Sequence, residues 1–202
     1  MSHNADNKLK IISVKHTERL KYLHPFEIEY RTKTGRAAKW ELVSRSGLKR
    51  LEEEIFEHKR FTDGAMIFAT NRDKTQMVLL KEFRVTAGRY VYTIPAGLID
   101  SDETIEMAAI REFKEETGMD FIPEYVDRSR YVSVGIINEC INIVYGYFSG
   151  EPSSAFLTDE EDAEAIIVNA QMAEVLLKEE EVTARTAYLM QHFFNLNPFF
   201  KR

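Results

Sequence analysis

The chain has 202 residues and a mass of 23.5 kDa, room for one substantial core or one domain with a small extension. Of these residues 44% are hydrophobic and 30% charged, and 27 basic against 33 acidic side chains leave a net charge of −6, which argues against binding bulk nucleic-acid phosphate. There is no apolar run of about 18 residues and no leader-like apolar stretch at the start, and the lone Cys140 has no intrachain partner, so the expectation is a cytoplasmic protein with neither membrane nor nucleic acid as partner.

Residues 1–10 are polar and predict a frayed end. From Lys10 to Val43 short apolar stretches alternate with charge: Ile11-Ile12-Ser13-Val14, Phe26-Glu27-Ile28-Glu29-Tyr30 and Ala38-Lys39-Trp40-Glu41-Leu42-Val43. The last two flank a turn-like 31–36 containing Gly35, so the pattern predicts a hairpin or small antiparallel sheet. Such a segment buries too little surface to stand alone and is expected to pack on the rest of the chain or on a second copy. The expected division is an N-terminal β region at 1–55 and a main domain at 56–202.

Residues 64–70, 77–83 and 90–94 read as strands, the third ended by Pro95-Ala96-Gly97. The period then changes: Ile105, Ala108, Ala109, Glu112, Phe113 and Glu116 recur at helical spacing, and Gly118 is a helix stop. Strands follow near 129–136 and 140–149, then an acidic loop at 158–164, a strand at 165–168 and a helix-rich tail in which Pro198 is placed to end a helix. Strands mixed with a few helices, without βαβ regularity, predict an α+β or α/β sandwich.

The chemistry concentrates between Gly97 and Met119. On a helix, Glu112, Glu115 and Glu116 project from one face, at i, i+3 and i+4. Three carboxylates so close repel one another unless a cation neutralises them. Oxygen ligands alone point to a hard ion, Mg2+ or Mn2+, and such a cluster suits metal-assisted cleavage of a diphosphate. A solvated, salt-bridged Glu-rich helix face is the alternative reading of the cluster by itself.

The spacing narrows the choice. Gly97, Glu103 and Arg111-Glu112-Phe113-Lys114-Glu115-Glu116-Thr117-Gly118-Met119 match every position of G-x5-E-x7-R-E-U-x-E-E-x-G-U, where U is a bulky apolar residue. At average residue usage a chance match in this chain is on the order of one in ten million. The chain therefore resembles the Nudix hydrolases, and within them the ADP-ribose pyrophosphatase branch. Further matches are Lys39-Trp40-Glu41, Thr62-Asp63-Gly64-Ala65, Val78-Leu79-Leu80-Lys81-Glu82-Phe83-Arg84, Pro95-Ala96-Gly97-Leu98-Ile99-Asp100 and Val182-Thr183-Ala184-Arg185-Thr186-Ala187.

That resemblance implies a Nudix α/β/α sandwich with a small N-terminal antiparallel β region, and hydrolysis of a nucleoside diphosphate sugar, ADP-ribose first. It implies Mg2+, with Mn2+ as the alternative, held by Glu112, Glu116 and the Ala96 carbonyl with Glu115 also at the metals. Gly97, Glu103, Arg111 and Gly118 are implied to brace the loop and helix, Glu103 and Arg111 through a salt bridge. A glutamate of the acidic loop is implied to orient the attacking water, Glu161 first and Glu164 second. Arg84 matches a phosphate contact, with a surface arginine as the alternative. Trp40 matches a base-stacking tryptophan, with a core or dimer-interface role as the alternative, and Glu139 is placed with the substrate-binding residues. A homodimer formed through the N-terminal region is also expected.

Two departures bear on the sugar. Ser133-Val134-Gly135 stands where relatives often have Ser-Pro-Gly, and Thr93 where they often have an acid. GDP-mannose or CDP-choline is therefore the alternative substrate, and a non-catalytic ligand-sensing domain the alternative function. No His-x-x-x-His pair exists, so His58 is read as structural, and Cys140 as a small buried hydrophobe.

Overall fold

The computed structural model describes residues 11–13, 20–196 and 198–199. The chain divides into two compact units, Val14–Gly64 with Arg128–Asn142, and Met1–Ser13 with Ala65–Asp127 and Ile143–Arg202. The expected boundary at 55/56 coincides with no edge of these units; it falls in the last turn of a helix.

In the first unit, β1 (His24–Arg31) and β2 (Ala37–Ser44) form an antiparallel hairpin running from His24↔Ser44 to Arg31↔Ala37. Phe26 and Ile28 are half-buried between exposed neighbours, the period-two pattern that makes this segment a strand pair. The connection is closed by the Thr32 N–H donating to the Arg36 carbonyl at 2.8 Å and the Arg36 N–H donating to Thr32 Oγ1 at 3.1 Å. Ile11-Ile12-Ser13 is not a strand, and Val14 and residues 1–10 lie outside the described residues.

A helix that strand alternation did not suggest follows, α1 (Leu48–Phe56). Leu48, Leu51 and Ile55 recur at i, i+3 and i+7, Leu51 is buried, and Arg50 Nε meets Glu54 Oε1 at 2.9 Å across one turn. Asp63 is half of a tie in this unit: it accepts from Arg50 at 2.7 Å and from the buried Cys140 backbone N–H at 2.9 Å.

The second unit is built on β4 (Gln76–Arg84), which pairs antiparallel with β5 (Arg89–Thr93), from Leu80↔Thr93 to Arg84↔Arg89. It also pairs antiparallel with β9 (Ala163–Asn169), from Gln76↔Asn169 to Glu82↔Ala163. β3 (Gly64–Thr70) joins β4 at Thr70↔Met77, and the short β6 (Ala96–Leu98) joins β3.

Two long strands complete the list, β7 (Asp120–Ser133) and β8 (Ile137–Ser149). The expected strand at 129–136 is corrected: β7 starts nine residues earlier and ends at Ser133, and a turn closed by the Ile136 N–H on the Ser133 carbonyl at 2.9 Å follows.

Helices cover both faces of this sheet, which makes the architecture the expected α/β one. Ala65, Ile67 and Ala69 of β3 pack with Ala109 and Phe113 of α2 (Ile105–Thr117), while Phe68, pointing the other way, stacks edge-on against Phe193 of α4 (Ala184–Phe193) at 5.3 Å. Phe113 and Ile67 are fully buried, each contributing about 2–3 kcal/mol of hydrophobic stabilisation. α3 (Ala170–Glu179) lies between β9 and α4 in sequence. α4 ends at Phe193, five residues before Pro198, with Asn195 at φ +54°. Among the described residues no helix is long and apolar enough to cross a membrane.

Candidate active site

α2 is defined by local chemistry at both ends. Thr104 caps its start, the Thr104 hydroxyl oxygen accepting from the Met107 N–H at 3.2 Å, and Gly118 ends it in the left-handed region at φ +72°. Ala108, Ala109, Phe113 and Thr117 take the buried side, which leaves Glu112, Glu115 and Glu116 on the polar one.

Arg111 organises most of that polar side. Its Nε and Nη2 grip both oxygens of Glu103 at 2.7 and 2.8 Å, and its Nη1 reaches Glu112 at 2.9 Å and Glu115 at 3.1 Å. A further bond runs from Nη2 to the Leu98 carbonyl at 3.2 Å, fastening the loop before α2 to the helix. The Arg111 contact, chiefly a charge-assisted hydrogen bond, holds the Glu103 carboxyl below its ordinary range. Glu103 in turn raises the guanidinium's affinity for its proton. Gly97 leaves room for Glu112: a Cβ at position 97 would lie 1.8 Å from the Glu112 carboxyl carbon and displace that side chain.

Glu116 is treated differently. Its Oε2 accepts the Ala96 backbone N–H at 3.0 Å, and among the described residues no cationic side chain bonds to it. Burial pushes its carboxyl well above the usual range, and the charges of Glu112, Glu82 and Glu161 push the same way. Glu112 is also raised, by burial first, with Arg111 opposing. As they stand, no three acidic or metal-ligating side chains among the described residues converge on one point. Arg111 holds Glu112 and Glu115, while the Ala96 N–H holds Glu116.

The register of β4 and β9 sorts the remaining candidates. Residues paired directly across antiparallel strands share a face. Val78↔Ile167 and Leu80↔Ala165 belong to the face covered by α2, since Val78, Ala165 and Ile167 pack there, and Glu82↔Ala163 continues it. Lys81↔Glu164 belongs to the opposite face. Glu161 lies just before β9, outside that register, and its charge is felt at Glu82 and Glu116.

Glu82 is the residue that motif reading passed over. Burial raises its carboxyl, and its Oε2 pairs with Arg84 Nη2 at 3.1 Å. The available signal was strand alternation, which puts residues 82 and 84 on the same side of β4. Trp40 and Glu139 belong to the other unit: Trp40 is about half exposed opposite Ile28 on β2, and Glu139 forms an ion pair with Arg45.

Comparison with known proteins adds a family and several relatives. The family described as NUDIX domain matches residues 60–193. A nudix protein of Caenorhabditis elegans is 38% identical over 100 residues, 48% of this chain and 41% of the worm protein, so the match spans about two fifths of that relative's length. The ADP-ribose pyrophosphatase of Bacillus subtilis is 29% identical over 150 residues, covering 71% of this chain and 77% of the bacterial one. The GDP-mannose pyrophosphatase of Cronobacter sakazakii is 30% identical over 163 residues, covering 72% and 82%.

Proposed function

This chain belongs to the Nudix family, and we propose that it hydrolyses the diphosphate bond of a nucleoside diphosphate sugar with a divalent cation, ADP-ribose to AMP and ribose 5-phosphate being the leading reaction. One observation carries the reading: the half-buried Glu116 feels the charges of Glu82, Glu112 and Glu161, and among the described residues its side chain bonds only to a backbone N–H. A carboxylate in that position is stabilised by an added positive charge.

The donor set fits a hard ion. All the donors are oxygens, and the missing Cβ at Gly97 leaves the space that the Glu112 carboxylate fills. We assign Mg2+, with Mn2+ as the alternative, to Glu112, Glu115, Glu116 and the Ala96 carbonyl. When bound, such an ion neutralises diphosphate charge and makes water a better nucleophile.

The rest is supplied by the chain. Arg84, steadied by Glu82, binds a phosphate oxygen of the substrate. Water attacks one phosphorus, the bond from that phosphorus to the bridging oxygen breaks, and each product leaves with one phosphate. Glu161 orients the water and accepts its proton; Glu164, on the opposite face of β9, is only the second choice for that role. Glu103, Arg111, Gly97 and Gly118 keep the loop and helix in place. Trp40 stacks on the base, and Glu139 contributes to substrate binding.

GDP-mannose is the second substrate reading, supported by a relative of that activity at similar identity and by the Ser133-Val134-Gly135 turn. We also propose a cytoplasmic homodimer joined through the 1–55 region. Exposed Tyr22, Tyr30 and Trp40 support the dimer, as does a cavity of about 500 Å3 lined by Phe26, Leu42, Val43 and Ile136. Formation of AMP, GMP or CMP from a panel of ADP-ribose, GDP-mannose and CDP-choline, with and without Mg2+ and read by chromatography, tests the activity. Absence of turnover on every compound would leave the ligand-sensing reading. Light scattering of the chain with and without residues 1–45 tests the dimer, whose prediction is a shift to monomer or aggregate on truncation.

A further inference from the structure

Thr158-Asp159-Glu160-Glu161 has the threonine-x-x-glutamate spacing that opens helices, in which the glutamate reaches back to the threonine N–H. The contact is made: Glu161 Oε2 accepts from the Thr158 backbone N–H at 2.8 Å and from the Thr158 hydroxyl at 3.0 Å. The Glu161 N–H in turn donates to the Thr158 carbonyl at 3.1 Å. Yet no helix follows, because the chain enters β9 at Ala163. Thr104, Asn169 and Thr183 each cap a helix in this unit, and Thr158 spends the same chemistry on a turn. What those bonds fix is a carboxylate on an exposed loop.

The next residue is fixed independently. The Phe83 N–H donates to the Asp162 carbonyl at 2.8 Å, and the Tyr90 hydroxyl donates to Asp162 Oδ2 at 2.7 Å. Glu161 is thus held by its side chain at one end and by its neighbour's backbone at the other. Its Oε1 has no hydrogen-bond partner among the described residues.

We propose that Thr158 is the positioning residue of Glu161, gripping Oε2 so that Oε1 is presented to the attacking water. The proposal rests on the reading of Glu161 as the group that orients that water. It assigns Thr158 no contact with substrate.

The test is steady-state hydrolysis of ADP-ribose with Mg2+ by the wild-type chain, Thr158→Val, Thr158→Ser, Glu161→Gln and the Thr158→Val/Glu161→Gln double variant, each checked by thermal melting. Losing one hydrogen bond to the carboxylate should lower kcat roughly five- to tenfold in Thr158→Val with KM unchanged. Thr158→Ser, which keeps the hydroxyl, should retain wild-type kcat. In the Glu161→Gln background the valine substitution should cost nothing further, because the two residues act as one unit. A wild-type kcat in Thr158→Val, or an equal loss in both backgrounds, would overturn the role of Thr158. A wild-type kcat in Glu161→Gln would instead overturn the assignment of the water-orienting residue, and the role of Thr158 with it.

Discussion

Glu103 stands just before α2 and Glu116 in its last turn, and the protein treats them in opposite ways. Both oxygens of Glu103 are gripped by one edge of the Arg111 guanidinium, and its carboxyl is held below the ordinary range. Glu116 is half-buried with other carboxylates nearby, and its carboxyl is pushed well above that range. Where the fold needs a brace it supplies its own cation, and where the proposed chemistry needs an ion it withholds one. The same residue type reads as structure in one corner and as an acceptor site in the other.

The sharpest way to break this contrast is Glu116→Gln, which keeps the shape and removes the charge. On the proposed reading kcat falls by about a thousandfold or more while the melting temperature holds or rises. Turnover near wild type in a steady-state assay would place Glu116 with Glu103 as a structural residue. Next in size is the metal response. Mg2+ at a hundredfold excess over its dissociation constant should stabilise the wild-type chain by about 2.7 kcal/mol, read as a rise in Tm, and should do far less for Glu116→Gln.

Arg111→Leu probes the other corner. It strands Glu103, Glu112 and Glu115 without their cation, and urea unfolding should show a loss of about 1–3 kcal/mol, moderated because Arg111 is partly solvated. A smaller, signed effect comes from pH without metal. A carboxyl raised in the folded state, as at Glu116, stabilises below its unfolded value, and that contribution is lost as pH rises through the folded value. The lowered Glu103 carboxyl does the reverse: its contribution is present above the unfolded value and lost as pH falls through the folded one. The Tm of metal-free wild type should therefore fall relative to Glu116→Gln as pH rises above about 4.5, the ordinary value for glutamate. Parallel pH curves for the two proteins would remove the electrostatic half of the comparison.

The legible parts of the chain were those whose signals are local. α2 announced itself through apolar spacing and Gly118 after it, and the three box glutamates follow from that helix. α1 was obscured because Leu48, Leu51 and Ile55 follow a stretch of strand-like alternation, and nothing but their spacing marks the change. In β7, Pro123 argues against a strand, while the exposed Val134 and Ile136 of the following turn imitate one. The site shows the same division. The placing of Glu82 and Glu164 on opposite faces depends on how β4 and β9 register, a pairing between segments about 80 residues apart that no local pattern encodes.

Gly118 has a further consequence. A side chain there would collide with Ser153, whose backbone N–H is bonded to the Thr117 carbonyl at 2.8 Å. The segment leading to the acidic loop is thus sewn to the end of α2, and Asp162 sews its far side to β4. Residues 154–161 form a short span closed at both ends, so opening it costs little chain entropy and exposes little apolar surface. In hydrogen–deuterium exchange these amides should trade their protons by local opening at rates insensitive to mild denaturant. The Phe83 and Ser153 amides, which carry the two stitches, should exchange more slowly, and the central amides of β4 should exchange only when the whole unit unfolds.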